Sequence, residues 1–272
     1  MDKNAPIGVF DSGVGGLTVA REIMRQIPDE RIVYFGDTAR VPYGSKSKDT
    51  IIKYSRQIVR FLMTQNVKAI VVACNTASAF ALEAISGEID IPMIGVVKPG
   101  ARVAAEATQN GKIGVIGTEG TIKSGLYTTF LKQINSNIQV VGKACPLFVP
   151  LVEEGLLHDN VTDEIASRYL ESLKEEKIDT LILGCTHYPL IRSTIRKVIG
   201  DGVNLVNPAY ETAVQLRRIL EWEDLAREEH SEDLSSQYKF YVSDSPDRFQ
   251  EFANSNLPFQ INETTQINIE EY

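Results

Sequence analysis

The sequence predicts an α/β fold of two pseudo-symmetric lobes, each a largely parallel sheet flanked by helices, with the active site in the cleft between them. Three observations carry this. Apolar runs of strand length alternate with amphipathic stretches of helical length along the first 200 or so residues, the signature of parallel strands covered by helices on both faces. Two similar junctions, Ala73-Cys74-Asn75-Thr76 and Gly184-Cys185-Thr186-His187, each follow a run that reads as a fully buried strand. Finally, the polar turn Asp11-Ser12-Gly13 lies 63 positions before Cys74 (74 minus 11), and Gly117-Thr118-Glu119 stands about as far before Cys185 (185 minus 118 is 67), which suggests an internal repeat.

Taken in order, Ile7 to Phe10 reads as a strand, Leu17 to Gln26 as a helix, Arg31 to Phe35 as a strand, Lys48 to Met63 as a helix and Ala69 to Ala73 as a strand. Pro92 to Val97 adds a strand, and Pro99-Gly100 marks a domain crossing. The second half repeats the theme: strand Lys112 to Ile116, helix Thr121 to Gln133, strand Ile138 to Val141, helix Asp163 to Glu175 and strand Thr180 to Leu183. From Tyr210 a helix runs into a highly charged end (Glu221 to Asp233), followed by a strand at Tyr238 to Val242 and a helix at Ser245 to Ala253. This last segment is too short for a third domain and is expected to return to the first lobe. The expected division is therefore 1–97 plus 208–272 for the first lobe and 98–207 for the second.

Size and charge restrict the function. A chain of 272 residues can form one large domain or two smaller ones. No apolar run approaches the roughly 18 residues of a membrane span, and no signal-peptide pattern is visible, so a cytoplasmic protein is expected. A formal charge of -8 without a dense lysine or arginine cluster argues against nucleic acid and anionic membrane as partners. An anionic small molecule would have to be held by backbone N–H groups and hydroxyls. The three cysteines, Cys74, Cys145 and Cys185, show no C-x-x-C spacing, which favours reduced thiols over a disulfide framework or a zinc site.

The residues that can carry chemistry gather at strand ends, where open α/β sheets place their ligands. Asp11-Ser12-Gly13-Val14-Gly15-Gly16 could cradle an anion with its amides, although the glycines could equally serve a tight turn. It has neither the G-x-G-x-x-G spacing of a dinucleotide site nor a P-loop ending. Free cysteines are often mere core residues. Here, however, two of them share one junction type, and a helix start would lower a thiol pKa from about 8.5 toward neutrality. Cys145, before Pro146, falls outside such a junction and reads as structural. His187, two residues after Cys185, could exchange protons with it, or be a hydrogen-bonded structural histidine. A Cys-x-His pair could ligate zinc, but too few further ligands support a metal. Glu153 and Glu154 close the proline-bearing segment Pro146 to Val152, read as a shaped loop; one carboxylate reaches the second thiol, or both sit at a solvated helix end. Asp37-Thr38-Ala39-Arg40-Val41-Pro42-Tyr43-Gly44 suits a ligand-covering loop. His158 and His230 lie in charged surroundings and receive no role.

These blocks, together with Tyr34-Phe35-Gly36 before the loop, Pro150-Leu151-Val152-Glu153 and Leu183-Gly184-Cys185-Thr186-His187-Tyr188-Pro189, resemble the cofactor-independent glutamate racemases of the aspartate/glutamate racemase superfamily. The resemblance implies that Cys74 and Cys185 are the two acid/base thiols, that Asp11 assists the Cys74 side, and that His187 and Glu153 assist the Cys185 side. It implies that Asp11, Ser12, Tyr43, Gly44, Asn75, Thr76, Thr118, Thr186 and His187 bind the amino acid. L- and D-glutamate would be the substrates, without cofactor or metal, the D-enantiomer feeding peptidoglycan synthesis, with a homodimer as the expected assembly. The chemistry fits independently, because inverting an α-carbon requires a base and an acid on opposite faces of a planar carbanionic intermediate. Alternatives are an aspartate racemase, a non-catalytic amino-acid-binding protein, and a cysteine hydrolase that would leave the second cysteine without a task.

Overall fold

The protein is described by a computed structural model covering residues 2–228 and 237–272. In chain order the first half contains β1 (Ile7–Asp11), α1 (Leu17–Gln26), β2 (Ile32–Gly36), α2 (Lys48–Thr64), β3 (Ala69–Val72), α3 (Asn75–Phe80), α4 (Leu82–Ser86), β4 (Met93–Gly95) and α5 (Val97–Ala107). There follow β5 (Lys112–Gly117), α6 (Glu119–Lys123), α7 (Leu126–Ile134), β6 (Gln139–Ala144), α8 (Phe148–Glu153), α9 (Asn160–Glu175), β7 (Thr180–Gly184), α10 (Arg192–Ile199), β8 (Asn204–Val206) and α11 (Pro208–Trp222). The chain ends with β9 (Tyr238–Val242), α12 (Pro246–Asn256) and β10 (Thr265–Gln266).

Among the described residues all strand pairings are parallel, in two sheets ordered β10-β9-β2-β1-β3-β4 and β6-β5-β7-β8. The orders β2-β1-β3-β4 and β6-β5-β7-β8 are the same motif used twice, which is the pseudo-symmetry expected from the sequence. Both faces of the first sheet are buried because side chains alternate: Ile7 and Val9 of β1 join a cluster with Ile23 of α1 and Leu216 of α11, whereas Phe10 joins Phe35, Ile58 and Phe61 on the opposite face. Hence these strands read as continuous apolar runs rather than alternating ones. The C-terminal strands β9 and β10 extend this sheet beyond β2.

Several local expectations change. Pro99-Gly100 lies within the first turn of α5, where a proline ring is tolerated because that amide has no intrahelical partner. The predicted strand to Val97 therefore stops at Gly95. Within Pro146 to Val152, read as a loop, only Pro146 and Leu147 form a turn; from Phe148 the chain is the short helix α8, again with a proline, Pro150, near the helix start. The single helix expected from Thr121 to Gln133 is two, α6 and α7, separated at Gly125, whose φ of +66° only glycine adopts freely. Cys145 does lie at a strand end, directly after β6, where it is completely buried in the core behind the second thiol's strand. The charged end assigned to the Tyr210 helix, and His230, fall partly or wholly in residues 229–236, outside the described residues.

Candidate active site

The register of the sheets brings the two junctions to equivalent places. Phe10 pairs with Val72 and Gly117 with Gly184, so Ser12 stands level with Cys74, and Thr118 with Cys185. The repeat is thus offset by one residue from the sequence comparison: Ser12, not Asp11, is the counterpart of Thr118. Asp11 corresponds to Gly117, so its carboxylate has no equivalent in the second sheet.

Cys74 and Cys185, with Ser12, Tyr43, Gly44, Asn75, Thr76, Thr118, Thr186 and His187, line one cavity between the sheets. Val41, Pro42 and Val149 complete the lining. Asp11 and Glu153 stand behind it, acting on lining residues rather than on the cavity itself. The enclosed space is about 20 Å³, room for roughly one water molecule. An amino acid can enter only if the walls of this cavity move apart.

Cys74 caps α3: its thiol donates to Ser12 Oγ (3.7 Å), and its sulfur accepts the Ala77 N–H (3.5 Å). The expected lowering of this thiol's pKa does not occur. Burial, reinforced by the Asp11 carboxylate, pushes it up to about 12, against the smaller opposing pull of the Ala77 amide and Ser12. A six-residue helix and one N–H do not offset the desolvation of a thiolate.

Cys185 is not at an α-helix start. Pro189 has no N–H to give, and the chain passes through a turn and a 3-10 turn (Tyr188–Ile191) before α10 begins. That turn replaces the extended geometry expected for Cys185 and His187, yet still sets Cys185 Sγ 3.7 Å from His187 Nδ1. The other imidazole nitrogen, Nε2, lies 3.0 Å from Glu153 Oε1 at the end of α8. Of the two readings open for Glu153, the one that reaches toward the second thiol is realised, through the histidine. Val149, one helical turn earlier, shares the cavity-facing side of α8. A helical reading of residues 148–153 would have found it in the sequence.

Burial alone would lower the pKa of His187, but hydrogen bonds with Cys185 and Glu153 and the nearby Asp11 carboxylate outweigh it and raise the value to about 10. Burial raises Glu153, but the His187 hydrogen bond and charge dominate and leave it below its ordinary value. The pair is therefore imidazolium and carboxylate at neutral pH. On its outer side Glu153 borders a groove of about 420 Å³ between α8 and α12.

The raised His187 value carries a pH signature. A group whose pKa is higher folded than unfolded contributes stability in full below its unfolded pKa, here 6.5, and loses it as pH rises through about 10. The unfolding free energy of wild type minus that of His187→Gln, measured in urea, is expected to be largest at pH 6 and to shrink steadily toward pH 10. A difference that stays constant over this range would show that these neighbours do not hold a proton on His187.

The anion cradle predicted at Asp11 to Gly16 exists, but it holds the chain's own carboxylate. Gly13 N–H donates to Asp11 Oδ2 (3.1 Å), and the Gly16 and Ser12 amides also stabilise the charge. Burial nonetheless leaves the Asp11 pKa raised, with His187 the largest opposing influence. Asp11 also accepts from Thr186 Oγ1 across the interface (3.4 Å), so it touches the Cys185 segment as well as the Cys74 side. Thr18, to which the sequence reading gives no role, adds a bond from its Oγ1 to the Thr186 carbonyl (2.9 Å). Thr121, likewise given none, joins Thr76 and Thr118 in a hydroxyl cluster with spacings of 2.8 to 3.2 Å.

The loop from Asp37 to Gly44 covers the site as expected. Buried Asp37 accepts from Tyr43 OH, from Arg40 Nε (2.8 Å) and from Ser243 Oγ (2.8 Å), which holds Tyr43 at the cavity wall. Taken together, the arrangement offers two thiols from two sheets, a hydrogen-bonded imidazole and carboxylate behind one of them, and amide and hydroxyl donors between.

Residues 7–216 match the Asp/Glu/Hydantoin racemase family. The chain is 48% identical to a glutamate racemase of Geobacter metallireducens, over 97% of both chains. Its fold superimposes on a glutamate racemase isoform of Bacillus anthracis with a TM-score of 0.93 and 42% identity, covering 98% of each chain. It superimposes equally well on a glutamate racemase of Francisella tularensis in complex with D-glutamate, with a TM-score of 0.92 and 37% identity over 99% of this chain and 100% of that one.

Proposed function

The chain belongs to the Asp/Glu/Hydantoin racemase family, and we propose that it interconverts L- and D-glutamate by proton transfer at Cα between Cys74 and Cys185, without a cofactor. Racemases are isomerases. The observation that carries the two-thiol reading is that one free cysteine from each sheet lines a single closed cavity. In one direction a thiolate removes the Cα proton from one face, and the thiol on the opposite face returns its own proton to the carbanion. The two sulfurs then stand with exchanged protonation, and the reverse reaction uses them in exchanged roles.

The Cα–H bond is far less acidic than a thiol, so stabilising the developing carbanion must account for most of the rate enhancement. Amide and hydroxyl donors of Ser12, Asn75, Thr76, Thr118 and Thr186 are placed to hold the substrate's carboxylates in a site closed to water, where such contacts act more strongly. His187, kept charged by Glu153, donates from Nδ1 to Cys185. Asp11 serves the Cys74 side and, through Thr186, the opposite one. Among the described residues no lysine lines the cavity, which favours direct deprotonation over Schiff-base chemistry. Substrate entry is by separation of the lobes, taken as 1–97 plus 208–272 and 98–207. The family resemblance further supports a homodimer in the cytoplasm supplying D-glutamate for peptidoglycan. No helix among the described residues is long and apolar enough to cross a membrane.

The test is direct. Protein purified without added cofactor is expected to bring the optical rotation of L-glutamate to zero, and to leave L-aspartate almost unchanged in a parallel assay. In deuterium oxide, label should enter the product's Cα before it enters recovered substrate. Preferential turnover of aspartate would overturn the substrate assignment, and equal early labelling of both enantiomers would replace two bases with one.

A further inference from the structure

Asn75 follows the first thiol, is 4% exposed and lines the cavity. Its carboxamide has one accepting oxygen and two donor hydrogens, and which end faces the cavity decides whether it attracts or repels a carboxylate. Tyr127, at the start of α7 on the opposite side of the interface, places its hydroxyl 2.7 Å from Asn75 Oδ1. Among the described residues no other side-chain hydrogen bond engages this amide, so the phenol takes the oxygen and leaves Nδ2 as the free end.

The same tyrosine also abuts the second thiol's strand. A Cβ placed on Gly184, the residue before Cys185, would lie 3.2 Å from Tyr127 Cε2. The ring thus rests against one cysteine-bearing segment while the hydroxyl grips the residue beside the other cysteine. Tyr127 is 3% exposed, and burial raises its pKa, so it remains a protonated donor at any working pH.

We propose that Tyr127 is a positioning residue that locks the Asn75 carboxamide with its N–H groups toward the substrate carboxylate and registers it against the Cys185 strand. The inference rests on the racemase reading given above. An unlocked amide would spend part of its time with the oxygen toward the anion, weakening binding without removing any group that touches Cα.

Tyr127→Phe keeps the ring and its packing against Leu131 and Ile182 and removes only the hydroxyl. Steady-state racemisation of both enantiomers is compared for wild type, Tyr127→Phe, Asn75→Ala and the double variant, with thermal unfolding as a check on folding. Tyr127→Phe is expected to raise KM about 10-fold for both enantiomers, the size expected for losing control of one hydrogen bond to a charged group, while kcat changes less than about threefold. In the Asn75→Ala background the same change should have no further effect, because Tyr127 acts through that amide. An unchanged KM, a fall in kcat alone, or an effect that multiplies in full with that of Asn75→Ala would overturn the proposal. Wild-type protein that fails to racemise glutamate would instead overturn the racemase reading, and is seen before any variant is compared.

Discussion

Cys74→Ala and Cys185→Ala are each expected to lose racemisation in both directions by about 10³-fold or more, the scale of removing one general acid or base from its place. That factor corresponds to about 4 kcal/mol of transition-state stabilisation. On the two-thiol mechanism proposed above, both directions fail because every turnover would use one sulfur as base and the other as acid. The half-reactions should survive selectively: in deuterium oxide, each variant is expected to exchange the Cα hydrogen of only one enantiomer, and the two variants of opposite enantiomers. Cys145→Ala is the control, since this thiol is buried in the core, its own pKa pushed up to about 12 by burial, and lines no part of the cavity. It should keep activity within about threefold. If either Cys74→Ala or Cys185→Ala retained a tenth of wild-type racemisation, a single-base mechanism would have to replace the two-thiol one. Proton monitoring by ¹H NMR of the Cα position reads both quantities in one experiment.

The two thiols differ in their surroundings. Cys74, buried and beside a carboxylate, stays protonated at neutral pH. Cys185 faces an imidazolium whose charge is sustained by Glu153. The site is symmetric in its sheets and asymmetric in its charges.

Much of this was legible in the sequence because parallel strands buried on both faces must be continuously apolar. β1, β2, β3, β5 and β7 were found within a residue or so at either end for that reason. β8 and β10 were not, since three and two residues are too few to show a pattern. Cys74 and Cys185, which line one cavity, stand out in the sequence because a strand end followed by small polar residues has few packing purposes. At Asp11 to Gly16 the sequence leaves an anion cradle and a tight turn both open: it shows which amides converge but not that the neighbouring carboxylate folds into them. Tyr127 and Thr18 were invisible for a different reason. Each is an ordinary helix residue until the second sheet is docked against the first, and no local pattern encodes that docking. Proline misled twice, at Pro99 and Pro150, because a proline in a helix's first turn looks locally like a breaker.

Gly15→Ala is expected to reduce kcat/KM about 10²-fold in both directions, although the residue contributes no chemistry. Of the glycines from Gly13 to Gly16, none has a positive φ, so a tight turn does not explain them. Close approach does. A Cβ on Gly15 would lie 2.4 Å from Thr186 Oγ1 and 2.5 Å from both Cε1 and Nδ1 of His187. Nδ1 is the atom that faces Cys185, so relief must come either from turning the imidazole off the thiol and Glu153 or from holding the lobes apart. Either admits water, and a displacement of about 1 Å at a reacting group suffices for a loss of this size. Gly13→Ala is the matched comparison two residues earlier: its Cβ would meet only Val41, at 3.6 and 3.9 Å, an ordinary contact. It should retain activity within about threefold. The two outcomes for Gly15→Ala separate by the pH dependence of stability. A displaced imidazole would lose the contribution of His187 that fades between pH 6 and 10, whereas separated lobes with an intact Cys185-His187-Glu153 relay would keep it. Wild-type kcat/KM in Gly15→Ala would mean that the interface tolerates a methyl group where the geometry leaves no space, and the closed cavity would no longer be the state in which the proton moves.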